Sequence, residues 1–232
     1  MGVRERVLAA ALECFAEEGY ERATIARIRE LSGVSNGALF HHFPTKEAIA
    51  GALYVDSIAS ILQRYREILA AEPLTLDEAV SGVIRAQLSW VETNPTRARF
   101  LYAQGRLNPA SDAGTRLREM NAEVGAAYRE WLAPFIGSGA ARELSMPVLV
   151  AVVTGPAHAI AQQWLAGQLA GSALSFAEEL AAAAIASLST EPAPPKQALR
   201  PVTARIRIEL RDADGSVTGT ATTTTVLDGT TT

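Results

Sequence analysis

Apolar side chains recur along most of this chain at spacings of three and four, a period that predicts helices from near the N-terminus to about Leu188. From Val3 to Glu18, Val7, Leu8, Ala11, Leu12 and Phe15 make one apolar stripe opposite glutamates and arginines, and Gly19 ends the run. Ile25, Ile28 and Leu31 lie near one face of a short second helix, capped by Thr24 and stopped by Gly33. Ser35 opens a third, in which Leu39 and Phe43 face inward, and Pro44 closes it. Lys46 begins a long helix through Ile49, Leu53, Ile58, Ile61, Leu62, Tyr65 and Leu69 to about Ala71, broken by Pro73. Thr75 and Glu78 form a capping box for the helix of Val80, Val83, Ile84, Leu88 and Val91.

Asn94-Pro95 restarts a short helix that Gly105 ends, and Ser111 or Asp112 opens another through Leu117, Val124, Tyr128, Trp131 and Leu132 before Pro134 and Gly137. Ser145-Met146-Pro147 starts a helix that is apolar on nearly every side as far as Ile160, with Gly155-Pro156 placed to kink it. Ser175 and Glu178 read as a capping box for the last, alanine-rich helix. The pattern gives an all-α fold with a three-helix unit over 1–48, a larger helical unit over 49–190 and a different tail over 191–232. The tail joins a proline-rich linker to an alternating run, Arg205 to Arg211, an Asp-Ala-Asp-Gly turn signal and a threonine-rich segment. A β-hairpin and a disordered tail both remain open for it. Two helices with spare apolar faces, the one before Ile160 and the last, are what a homodimer interface looks like in sequence.

The stretch Thr24 to Glu47 narrows the function. A short helix, a glycine-containing turn and a second helix with a small, polar start is the arrangement that lays a recognition helix in the major groove. Spacing alone equally allows an ordinary helical hairpin. Gly37 favours the groove: inside a helix glycine costs about 1 kcal/mol relative to alanine, a loss best understood where another molecule must approach the backbone closely.

The segments CFAEEGYERATIARIREL and GVSNGALFHHFPTKEAI resemble the helix-turn-helix of TetR-type transcriptional regulators, with the turn, the helix glycine, the His-Phe pair and the Lys-Glu in register. The resemblance implies a homodimer on a palindromic double-stranded DNA operator, paired through its last two helices, with a larger domain that binds a small effector, which the rings named below suggest is hydrophobic. The expected role is a repressor, with no cofactor and no membrane as partner. By position Asn36, Gly37, Ala38, Phe40 and His41 would face bases, Thr24, His42 and Lys46 would face phosphates, and Ser35 stands with them at the helix start. Phe40 replaces the family's usual tyrosine, and Arg29 and Leu31 replace residues that are usually small.

Charge pulls the other way. The 232 residues carry a net charge of -4, and before Gly51 the basic side chains are slightly outnumbered by the acidic ones. Affinity for DNA would therefore rest on where positive groups point and on two copies per operator, not on bulk charge. The acidic balance keeps alive a second reading, a small-molecule or protein-interaction module whose helix-turn-helix is only scaffold. The single cysteine, Cys14, excludes an intrachain disulfide and reads as a packed thiol; with no signal segment or long apolar span, a cytoplasmic location is expected.

Chemistry for turnover is missing from the sequence. Adjacent His41 and His42 point to different helix faces, no metal cluster forms, and no phosphate loop, nucleophile elbow or dinucleotide fingerprint occurs. For the effector, Trp90, Phe100, Tyr102, Trp131, His158 and Trp164 are the candidate pocket residues, since rings with few charges suit an apolar, planar molecule. Each is more readily explained as a core or surface residue than as a ligand contact.

Overall fold

In the computed structural model, residues 1–71, 75–103, 108–190, 202–211 and 213–227 are described. The chain divides into two units, 1–190, which is helical, and 191–232. The expected helix breaks at Pro73 and Gly105 and the proline-rich linker lie outside the described residues.

The first unit begins with α1 (Val3–Glu18), α2 (Ile25–Ser32) and α3 (Asn36–His42). Their ends follow the expected chemistry. Thr24 and Ser35 accept hydrogen bonds from the N–H groups of Arg27 and Ala38, and Gly33 takes a left-handed φ of 62° that lets its N–H reach the carbonyls of Arg29 and Glu30. Val7, Ala11, Phe15, Ile28, Val34, Leu39 and Phe43 close a small core. Leu31 departs from the expected inward stripe and stands 37% exposed, because each step of three residues falls about 60° short of a full helical turn and carries it off the face of buried Ile28.

Helix α4 (Lys46–Leu69) belongs to two cores. Ile49, Ala50 and Leu53 complete the small one, while Tyr65 and Leu69 enter a larger one built with α5 (Leu76–Thr93), α6 (Pro95–Ala103), α7 (Asp112–Gly137), α8 (Met146–Val153), α9 (Gly155–Leu165) and α10 (Ala177–Leu188). A bidentate pair between Arg4 and Asp56, 2.9 and 3.0 Å, ties α1 to α4. Thr75 and Glu78 make the expected reciprocal capping box on α5. Ser111, not Asp112, caps α7, and that helix continues through Pro134 to Gly137.

The long apolar helix expected after Pro147 is two helices bent by 43° at Thr154. Pro156 has no N–H to offer the preceding turn, which forces the bend. Among the described residues no single helix is long and apolar enough to cross a membrane. The last helix also starts differently. A 3-10 turn, Ala173–Phe176, precedes α10, and the anticipated box of Ser175 and Glu178 does not form. Ser175 bonds back to the Ser172 carbonyl and Glu178 pairs with Arg85, while Ser172 caps the turn through Leu174 N–H.

In the second unit, β1 (Val202–Arg211) pairs antiparallel with β2 (Val217–Leu227), so of the two alternatives for the tail the hairpin is realised. Its register sets Arg205 opposite Thr224 and Arg207 opposite Thr222, with an irregularity between Leu210 and Arg211 beside the turn.

Candidate nucleic-acid interface

Two inward anchors fix the pose of α3: Leu39 is fully buried and Phe43 is 4% exposed. With those faces committed, Asn36, Gly37, Phe40, His41 and His42 are exposed and Ala38 is half-buried. Phe40, 47% exposed, is a large apolar ring held in solvent by a helix that has a core to put it in. A Cβ built at Gly37 would meet no atom of the protein within 4 Å. Nothing inside the molecule requires a glycine at this place in the first turn of α3, and its backbone is left open to close approach from outside.

Arg29 is exposed on α2 and has no ion-pair partner among the described residues, whereas Arg27 is engaged by Glu18 and Glu30. Thr24 and Ser35 spend one lone pair on capping, and their hydroxyl protons remain donors.

Lys46 requires a correction. Its ammonium donates to the carbonyls of Tyr20 (2.9 Å), Glu21 (3.2 Å) and Ala23 (3.1 Å), which uses all the donors it has. It braces the loop between α1 and α2 from the first turn of α4, and no donor is left for a phosphate. Sequence distance hid this role, because the partners are main-chain atoms.

The six rings named for an effector site do not converge. Phe100 belongs to the small core, stacked on Phe15 at 5.5 Å. Trp164 donates its indole N–H to the Gly171 carbonyl, and Trp90 donates to Ser60 Oγ. Tyr102 meets His158 edge-on at 4.3 Å, and burial lowers the pKa of that histidine. Trp131 borders an open groove of about 410 Å³ between α4 and α7, with Arg66, Leu69, Ala127, Glu130 and Phe135, and Phe100 borders a separate one of about 660 Å³ with Phe15, Tyr20, Arg22 and Arg99. Sequence reasoning passed over Gln87, a buried amide that accepts from Tyr65 Oη at 3.2 Å, and over Tyr128 beside Trp131. Gln87 lies on the inner stripe of α5 between Ile84 and Leu88, and that placement was the available signal. Cys14 is fully buried, with its thiol pKa raised by burial, as for a packed side chain. Among the described residues no group of His, Cys, Asp and Glu is placed to hold a metal.

Residues 7–53, from α1 into α4, match the family described as "Bacterial regulatory proteins, tetR family". Over that stretch the chain is similar to TetR-family regulators. Its relatives include the HTH-type transcriptional repressor AcnR of Corynebacterium efficiens, 44% identical over 64 residues, which is 28% of this chain and 34% of that protein. Another is the HTH-type transcriptional repressor Rv1474c of Mycobacterium tuberculosis, 32% identical over 132 residues, 56% of this chain and 64% of that one. The match thus spans less than two thirds of these relatives' lengths, 34% of one and 64% of the other. Among solved structures, a transcriptional regulator FadR from Bacillus subtilis in complex with stearoyl-CoA superposes with a TM-score of 0.67 at 19% identity, over 79% of this chain and 98% of that one. At that identity the likeness shows a shared helical fold alone.

Proposed function

We propose that this protein is a ligand-responsive, DNA-binding transcriptional regulator, a repressor that a small apolar effector releases from a palindromic operator. The observation that carries the reading is Gly37, a glycine in the first turn of α3 with open space where its Cβ would be, on the exposed face of that helix. Asn36, Gly37, Ala38, Phe40 and His41 would meet base edges. Thr24, Ser35, His42 and the exposed Arg29 would meet phosphates, which position the protein without reading sequence.

Two copies have to hold their α3 helices about 34 Å apart to enter successive major grooves. The apolar surface of α8, with Val148 46% and Val150 42% exposed, and the alanine face of α10 support pairing of two chains there. The stearoyl-CoA complex of the FadR structure supports an apolar effector. A route for its signal runs along α7. That helix borders the 410 Å³ groove at Trp131, and at its other end Ala113 stands so close to α4 that a Cβ on Gly51 would lie 2.8 Å from the Ala113 Cβ. Gly51 adjoins Ala50 and Leu53 in the small core. An effector favouring the arrangement with misplaced α3 helices would weaken DNA binding by its own preference, typically about 1 to 3 kcal/mol.

The net charge of -4 favours one rival, a helical carrier whose helix-turn-helix is scaffold. Titration of a selected duplex pool at several salt concentrations separates the two. A regulator yields a defined two-half-site sequence and a steep inverse salt dependence; a carrier yields neither.

A further inference from the structure

Buried polar atoms without partners are rare in folded chains, and each costs free energy that a bound molecule can recover. Tyr128 and Trp131 stand three positions apart on α7, hence on one side of it, and are 2% and 8% exposed. Neither Tyr128 Oη nor Trp131 Nε1 has a hydrogen-bond partner among the described residues. Their rings meet edge to face with centroids 6.4 Å apart. Trp90 and Trp164 are the contrast, since Ser60 Oγ at 2.8 Å and the Gly171 carbonyl at 2.9 Å satisfy their indoles.

The two rings line an apolar slot with Leu69, Val80, Val83 and Val153 that is too narrow for a water molecule. The slot shares Leu69 and Trp131 with the open groove of about 410 Å³, a volume within the ordinary range of small-molecule sites. Arg66 at the groove adds a third buried atom without a partner, its Nε, while its terminal nitrogens bond to Glu123 and Gln63. Indole and guanidinium N–H groups only donate, so an acceptor is what they require. An anion gains little here: Arg66 is already paired with Glu123 at 2.8 Å, and Glu130 borders the same groove.

We propose that this slot and groove bind a neutral, largely apolar molecule bearing a carbonyl oxygen, which accepts hydrogen bonds from Trp131 Nε1 and Tyr128 Oη while its apolar body lies against Leu69, Ala127 and Phe135. The closed slot opens as the ring of Trp131 gives way to the ligand. This names the effector chemistry for the regulator reading above and rests on that reading for its consequence at DNA; binding itself is tested without DNA.

The experiment compares 2-acetylnaphthalene with 2-ethylnaphthalene, nearly equal in shape and differing in the carbonyl, by isothermal titration calorimetry on the full chain and on Tyr128→Phe and Trp131→Phe. The acetyl compound should bind about tenfold tighter to the natural protein, and the preference should shrink to about threefold or less in each variant. Tyr128→Phe removes an unpaired hydroxyl without changing the ring, so its melting temperature without ligand should hold or rise, which keeps the test available if Trp131→Phe folds poorly. Equal binding of the two compounds, a preference untouched by Tyr128→Phe, or no binding of either overturns the proposal. Carbonyl-dependent binding that leaves the protein on its operator keeps the site and refutes effector release; release by a compound indifferent to both substitutions does the reverse.

Discussion

The Lys46 ammonium lies 4.5 Å from the centre of the Tyr20 ring, at the point where the loop between α1 and α2 meets the first turn of α4. A cation over a ring and three carbonyls around the same nitrogen make this lysine a clamp on the element that precedes the helix-turn-helix. Lys46→Ala should therefore lower unfolding stability by about 2 kcal/mol, the scale of lost charge-assisted hydrogen bonds at a half-buried site. Operator binding should weaken while the slope of log affinity against log salt stays unchanged, since no phosphate contact is lost. A slope reduced by about one, with stability unaltered, would restore the phosphate role.

Gly37 gives a pair of opposite effects. Because a Cβ there meets nothing, Gly37→Ala should stabilise the protein by up to about 1 kcal/mol through helix propensity, and yet weaken operator binding. Gly37→Glu should abolish binding and leave a folded dimer. Gel-shift titrations beside thermal melts check both; full operator affinity in Gly37→Glu would remove the groove assignment.

Local chemistry was legible in the sequence wherever one residue governs one backbone event. Thr24, Gly33, Ser35 and the Thr75–Glu78 box act over a few residues, and each acts as its side chain dictates. What failed to read out was tertiary. The partners of Lys46 are carbonyls some 23 to 26 positions away, and Phe100 left the expected ring cluster because α6 carries it to Phe15. Ser175 and Glu178 had the right spacing for a cap, but Arg85 on α5 and the Ser172 carbonyl offered competing partners. The exposed face of α3 was legible because Leu39 and Phe43, four positions apart, fix the inward direction and all other faces follow.

Among the described residues Phe100 is the one buried member of the small core that comes from beyond α4, and it is 6% exposed. Phe100→Ala should cost about 3 to 4 kcal/mol, as for other large-to-small core changes. The loss should be uneven. Hydrogen exchange should accelerate in α1, α2 and α3 more than in α5 and α10, whereas a ring that merely lined an effector site would leave α1 to α3 protected as before.

His158 predicts a pH dependence. Burial holds its pKa below the usual 6.5, so the unfolded chain takes up a proton at a higher pH than the folded one does. This contribution to stability is present above pH 6.5 and is lost as pH falls from there toward the folded-state value. The urea midpoint of the natural protein should drop between pH 7.5 and pH 5.5 by more than that of His158→Phe, with a small difference because the ring retains substantial solvent contact. Equal drops would mean the ring ionises freely beside Tyr102.

The last prediction concerns the pairing surface. Val148 and Val150 project from a helix whose other side, Leu149 and Val153, is buried at 1% exposure each, so their exposure is not a packing accident of a loose segment. Burying both between two chains would remove most of their remaining apolar surface from water, and a charge placed there would be buried without a partner. Val150→Glu should accordingly give a folded monomer in sedimentation experiments, with the helical circular dichroism signal intact. A monomer presents one α3 at a time, so its affinity for a two-half-site duplex should fall to that for an isolated half-site, because the second contact no longer benefits from being held near the first. A Val150→Glu protein that still sediments as a dimer and still distinguishes the full site from its half would move the interface elsewhere on the helical unit.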